Sequence, residues 1–214
     1  MTLTLLIIIT TVIVSLVAMN NATLLDKCIF HPYSIAKDPG QWYRAITCGF
    51  IHADFPHLAF NMFSFYMFGE MLEKDVDFIF GSNGKLLFLL MYFSSLVVCI
   101  IPTYFSHKKH YNYRSLGASG AVSAIVFAGI FLRPSLQIGF FVIPPIIPGF
   151  VFGPLYLALT IYLSKKGPGS INHSAHLWGS LYGIVFLILS SRLMSNFSVI
   201  DNFMNSVTKY ISSF

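Results

Sequence analysis

The chain has 214 residues, of which 56% are hydrophobic and only 10% charged, with a mean hydropathy of +0.72 and a formal charge of +5. A soluble globular domain carries about 25% charged residues, so this composition excludes that class and specifies an all-α polytopic membrane protein. Spans of roughly 20 residues joined by short loops use up the length, leaving a single domain over 1–214 and no room for a soluble one. The basic residues sit in loops, such as Lys108, Lys109, Lys165 and Lys166, without a long run, a pattern that suits lipid headgroups and not nucleic acid.

In chain order, six apolar stretches are predicted as spans, at 3–19, 57–72, 86–105, 116–132, 136–163 and 174–191. The first has no basic residue before it and no clear small-x-small cleavage site, and is read as a retained anchor. Only the first connection is long, and its Trp42-Tyr43-Arg44 cluster has the composition of a headgroup-level anchor. An acidic turn is expected from Glu73 to Lys85. The fourth stretch is short: from Ser119 to Arg133 a helix rises roughly 21 Å against a hydrocarbon layer of about 30 Å, so the loop 114–117 must dip below the surface into protein or a wet cavity. Pro144, Pro145, Pro148 and Pro154, with Gly139, Gly149 and Gly153, interrupt helical hydrogen bonding in the fifth, which is expected to be a broken, mobile element. Cys28, Cys48 and Cys99 show no C-x-x-C spacing and read as small buried residues.

Polar residues at membrane depth are costly, and a hydroxyl and an imidazole on separate spans form a functional hypothesis by default. Ser119 opens the fourth stretch and His176 lies near the start of the sixth. Gly120, Ala124 and Ala128 recur every four residues on one; Ala175, Gly179 and Gly183 do so on the other. Such small-xxx-small stripes let two membrane helices pack backbone to backbone, which would bring the hydroxyl and its base to one level. On the second stretch His57 and Asn61 share a helix face. With the Ser119 backbone N–H they would form an oxyanion hole. No acidic residue lies near the start of the sixth stretch, so a Ser-His dyad is expected in place of a Ser-His-Asp triad, with the imidazole oriented by packing against Tyr or Trp rings.

These residues resemble the rhomboid intramembrane serine proteases. The resemblance is carried by Trp42-Tyr43-Arg44, by His52, His57 and Asn61 in the pattern H-x-x-x-x-H-x-x-x-N, by Gly117-x-Ser119-Gly120, and by Ala175-His176-x-x-Gly179-x-x-x-Gly183, in family order over residues 42–183. It implies a six-helix core with a membrane-associated first loop. Ser119 would be the nucleophile and His176 the general base and acid, while His57 and Asn61 would stabilise the oxyanion. His52, Arg44, Gly117, Gly120, Gly179 and Gly183 would support the site, and His173 would be an interfacial helper. The resemblance also implies single-pass transmembrane protein substrates that enter laterally, the fifth helix as gate, water from a cavity open to the outer face, and no cofactor or metal. One departure is Tyr43 directly before Arg44, with the tryptophan one place earlier.

The expected location is the bacterial cytoplasmic membrane, with the site opening to the extracytoplasmic side. Charge counting opposes this: placing residue 1 in the cytoplasm puts Lys27, Lys37, Arg44, Lys108, Lys109, Arg114, Lys165 and Lys166 outside and Lys74, Lys85, Arg133, Arg192 and Lys209 inside. Two rival readings stand beside the protease. One is a catalytically inactive rhomboid-like protein that grips membrane helices; such relatives typically lack the nucleophile or the base. The other is a metal-dependent membrane enzyme or transporter using His52, His57, His173 and His176, which has no H-E-x-x-H and no intramembrane carboxylate or cysteine to complete a zinc site. Substrate identity, cleavage preference and oligomeric state have no signal in the sequence.

Overall fold

A computed structural model describes residues 1–140, 143–165 and 172–213. In the first half, α1 (Leu3–Met19) leads through α2 (Ala22–Cys28), α3 (Pro32–Lys37) and α4 (Arg44–Thr47) into α5 (Phe55–Phe80), α6 (Gly84–Val98) and α7 (Ile101–His107). In the second, α8 (Ser119–Leu132) is followed by an antiparallel hairpin, β1 (Gln137–Phe140) and β2 (Ile143–Pro148), then α9 (Gly149–Ser164), α10 (His173–Met194) and α11 (Val199–Ile211). The segment Phe55–His107 and α10 are each long and apolar enough to cross a membrane; α1, α8 and α9 are shorter apolar helices. The architecture is an all-α bundle of an integral membrane protein.

Two of its helices, α1 and α10, turn small polar residues inward and large apolar ones outward, unlike helices of a soluble protein. On α1, Thr4, Thr11 and Ser15 are buried while Leu6, Ile9, Ile13 and Leu16 are exposed. On α10, Ser180 and Ser191 face inward and Leu181, Val185 and Leu189 outward. Lipid tails accept exposed leucine at no cost, whereas a hydroxyl in hydrocarbon lacks a partner, so the small polar residues turn to the interior.

The centre of the bundle is α8, where every residue from Gly120 to Leu132 except Val126 and Phe131 is buried. It is surrounded by α5, α6, α9, α10 and α11. Against α10 the approach is closest: a β-carbon on Gly179 would stand 2.0 Å from the Gly120 carbonyl oxygen, and one on Gly183 would stand 2.1 Å from that of Ala124. These are backbone-to-backbone contacts made by the two small-residue stripes.

Several boundaries differ from the sequence expectation. The acidic turn expected from Glu73 is helical up to Phe80, and Glu73 is buried inside the bundle. The reason lies on another helix. The first N–H groups of α1 have no intrahelical acceptor, and the Glu73 carboxylate accepts from Leu3 N (2.8 Å), Thr4 N (2.9 Å) and the Thr4 hydroxyl (2.8 Å). The stretch expected at 86–105 divides at Cys99–Ile100, with Pro102 in the first turn of α7. The fifth stretch begins as the β-hairpin, which takes up Pro144, Pro145 and Pro148 and leaves only Pro154 within α9. Residues 141–142 of that stretch, and 166–171 with the loop lysine Lys166, lie outside the described residues.

The sequence reading placed no element after 191, yet α11 is strongly amphipathic and is tied to the bundle. Asn202 Nδ2 donates to the Leu132 carbonyl at the end of α8 (2.8 Å), Phe203 stacks on Phe131 (4.6 Å), and the Tyr210 hydroxyl meets Gln137 Nε2 on β1 (3.1 Å).

A Gly179→Val substitution should lower the thermal unfolding midpoint in detergent by about 4 °C or more, because its branched side chain would be driven into backbone and not into a yielding side chain. Gly153→Ala, whose added carbon would meet Phe127 at an ordinary 3.6 Å, should leave the midpoint within about 2 °C, read in the same assay.

Candidate active site

Ser119 is the first residue of α8 and His176 lies in the first turn of α10, so the close packing of those helices sets the two side chains side by side. His176 Nε2 is 2.7 Å from Ser119 Oγ. The start of α10 is held independently. Asn172 caps it by accepting from Ala175 N (3.1 Å), and the same side chain exchanges hydrogen bonds with Thr103 on α7 (3.1–3.2 Å). The other imidazole nitrogen, Nδ1, faces the Tyr156 hydroxyl of α9 at 3.3 Å. The His173 ring stands edge-on to His176 with centroids 6.2 Å apart.

The loop that delivers Ser119 is enclosed by protein. Ser115 and Phe30 exchange two backbone hydrogen bonds (3.0 and 3.1 Å), and Gly117 N donates to the Cys48 carbonyl (2.9 Å). Gly117 has φ +108°, a conformation open mainly to glycine, and a β-carbon there would lie 2.9 Å from His57 Nε2. Both the backbone angle and the imidazole above it require glycine. Beside Ser119, Gly117, Ser115, Cys48, Cys99 and Asn172 lies a cavity of about 20 Å³, room for one water molecule.

His52 is fully buried at the back of this loop, and its tautomer follows from its partners. The Ser15 hydroxyl donates to the Phe50 carbonyl (2.9 Å), so it can only accept from His52 Nδ1 (2.9 Å). The lone pair of His52 Nε2 is then directed at the Ala118 N–H (3.5 Å). Both nitrogens are thus engaged within the protein, and burial pushes the imidazole pKa down to about 3, helped by the neighbouring His57. The two rings meet edge-on at 4.9 Å.

His57 is half-buried at the start of α5, where Asp54 caps the helix through the His57 N–H (2.7 Å). Asn61 is buried, and one N–H of its amide goes to the His57 carbonyl (3.0 Å). Arg44 is also buried, contrary to the headgroup position expected from its neighbours. Its guanidinium donates to the carbonyls of Asp26 and Ile29 and to Gln41 Oε1 (2.8 Å), closing the long first loop on itself; Trp42 and Tyr43 remain exposed. Gly120 and Gly179 lie at the α8–α10 contact by Ser119 and His176, and Gly183 one turn beyond.

Four supporting residues escaped the sequence reading: Ser15, Thr103, Tyr156 and Asn172. Only Asn172 had a local signal, its position three residues before Ala175 at a helix start. The others are single polar residues in apolar stretches, and their partners come from distant segments.

Two membrane helices packed without intervening side chains, joining a serine to a histidine beneath an enclosed loop, define a helical membrane protein with a buried Ser-His contact. The Rhomboid domain model matches residues 39–193, and the chain belongs to the rhomboid family. It is 30% identical over 163 residues to Rhomboid-like protein 11, chloroplastic, of Arabidopsis thaliana, covering 72% of this chain and 54% of that one. With YdcA of Bacillus subtilis, named for the same family, it shares 34% identity over 100 residues, 47% of this chain and 46% of the other. With rhomboid protease GlpG of Haemophilus influenzae it shares 26% over 169 residues, covering 78% and 80%. The chain spans about half the length of the first two.

Between about pH 6.5 and 3 the unfolded chain protonates residue 52 while the folded one does not, so the contribution of His52 to stability, present at neutral pH, is lost as pH falls through that window. Denaturant unfolding in detergent should therefore show wild-type stability falling more steeply with acid than that of His52→Gln, which does not titrate.

Proposed function

We propose that this chain is an intramembrane serine endopeptidase that hydrolyses peptide bonds in or near the transmembrane segment of single-pass membrane proteins. The observation that carries the reading is the 2.7 Å contact between Ser119 Oγ and His176 Nε2.

In the first half of the reaction the Ser119 hydroxyl gives its proton to Nε2 as Oγ attacks the scissile carbonyl carbon, and the carbonyl π electrons move to oxygen. The resulting oxyanion meets the backbone N–H of Ser119 at the positive end of α8, together with His57 and the second N–H of Asn61. Collapse breaks the C–N bond, Nε2 protonates the leaving amine, and an ester to Ser119 remains. Water then repeats the sequence: Nε2 takes its proton, the hydroxide oxygen adds to the ester carbon, and the C–Oγ bond breaks with return of the proton to Oγ. The cavity beside Ser119 has the size for that water.

A transmembrane segment would reach Ser119 from the lipid, past the exposed face of α9, and the site would open to the extracytoplasmic side. The basic residues Lys37, Lys108, Lys109 and Arg114 would then lie at the outer surface. The family placement is preferred to their count, since the asymmetry is only eight to five. His52 has no nitrogen left for a metal, which weighs against the rival reading of a histidine-ligated ion.

A fluorophosphonate should label the purified wild type and leave Ser119→Ala unlabelled. Cleavage of a panel of model transmembrane substrates should fall on the order of 10³-fold or more in both Ser119→Ala and His176→Ala. Equal labelling of wild type and Ser119→Ala would overturn the assignment. For Asn61→Ala the expected loss is on the order of 10²-fold in kcat, read with the same substrates.

A further inference from the structure

A serine nucleophile needs more than an adjacent imidazole. The ring must present its Nε2 lone pair to the hydroxyl, and the proton must reside on Nδ1, a condition met by whatever accepts from Nδ1. Among the described residues no carboxylate contacts His176. The partner of its Nδ1 is the Tyr156 hydroxyl at 3.3 Å.

That hydroxyl is well placed to accept. Ser123 on α8 and Thr160 one turn further along α9 lie near it, and a phenol oxygen can accept from an Nδ1–H while its own O–H is directed elsewhere. The ring is held by Phe127 of α8 (5.5 Å) and Phe152 (5.8 Å).

The helix that carries Tyr156 is loosely held. Only Gly149, Gly153 and Thr160 are buried on α9, and Val151, Leu155, Leu159, Ile161 and Tyr162 are exposed. Pro154, two residues before Tyr156, removes one hydrogen bond from the helix.

We propose that Tyr156 is the positioning residue for His176, accepting from Nδ1–H and so fixing the tautomer in which Nε2 is the base. This rests on the hydrolytic reading above. It makes reactivity at Ser119 depend on the seating of α9: when α9 is displaced sideways, Tyr156 leaves with it and His176 loses its orienting partner. A segment arriving past α9 is cut only once that helix has returned.

The test uses the full chain in bilayers, with Tyr156→Phe, which keeps the ring and deletes the acceptor. ¹⁵N spectra of histidine-labelled protein, with the His176 resonances assigned by their loss in His176→Ala, should show a single Nδ1–H tautomer in wild type and a mixture in Tyr156→Phe. With model transmembrane substrates, kcat should fall on the order of 10²-fold while KM stays within about twofold. An unchanged His176 tautomer in Tyr156→Phe overturns the proposal, whatever happens to kcat. Wild type that neither cleaves nor takes the phosphonate at Ser119 defeats the protease reading instead, and the tautomer comparison still decides the role of Tyr156.

Discussion

The contact between α8 and α10 is the constraint on which the rest of this structure depends. Glycine at 120, 179 and 183 and alanine at 124 let two backbones touch, and there is no side chain between them to take up a displacement. In a bilayer, where hydrophobic burial offers no preference between lipid and protein, such close van der Waals packing is a main source of helix association. The same contact sets the Ser119–His176 pair, since the two residues lie in the first turns of their helices and can be brought together only if the helices are in register. An error of one helical residue would move an end by about 1.5 Å and turn its side chain by about 100°, enough to separate Ser119 Oγ from His176 Nε2.

Around that contact, buried polar side chains act as ties between elements that apolar packing alone would leave free to slide. Glu73 satisfies the opening N–H groups of α1. Arg44 gathers carbonyls of the first loop. His52 joins Ser15 on α1 to the backbone just ahead of Ser119. Glu73 and His52 couple segments far apart in the chain, Arg44 closes its own loop, and each group finds in the protein the partners that it would lack in hydrocarbon. The site is thus fixed from several directions except one: α9 contributes the partner of His176 Nδ1 and presents most of its surface to lipid.

The short helix α8 illustrates how depth is obtained. A helix of 14 residues cannot reach both faces of a bilayer, so the loop before it descends into the protein, where Phe30, Cys48 and His52 satisfy its backbone. Ser119 therefore stands at the N-terminal end of a helix dipole, beneath that loop. That position would favour the negative charge that develops in the proposed attack on an amide.

Much of this was legible in the residues themselves. Composition specified a membrane bundle, the period-four glycines and alanines marked the two faces that meet, and the stretch expected from 116 contains α8, which begins at Ser119. These are local properties, carried by spacing along one helix. The partners of polar groups were not legible: Glu73 looked like a turn residue because the N–H groups it receives are about 70 positions away, and Arg44 looked like a surface cation because the carbonyls it binds come from the preceding loop. The prolines of 144–148 announced a broken helix but not a hairpin, since strand pairing requires a second segment. The amphipathic α11 is not legible in hydropathy alone because its polar face masks its apolar one. What the sequence determined by itself was which residues could approach closely and which bore chemistry; the tertiary structure decided who satisfies whom, because a hydrogen bond's partner is set by three-dimensional proximity and not by periodicity.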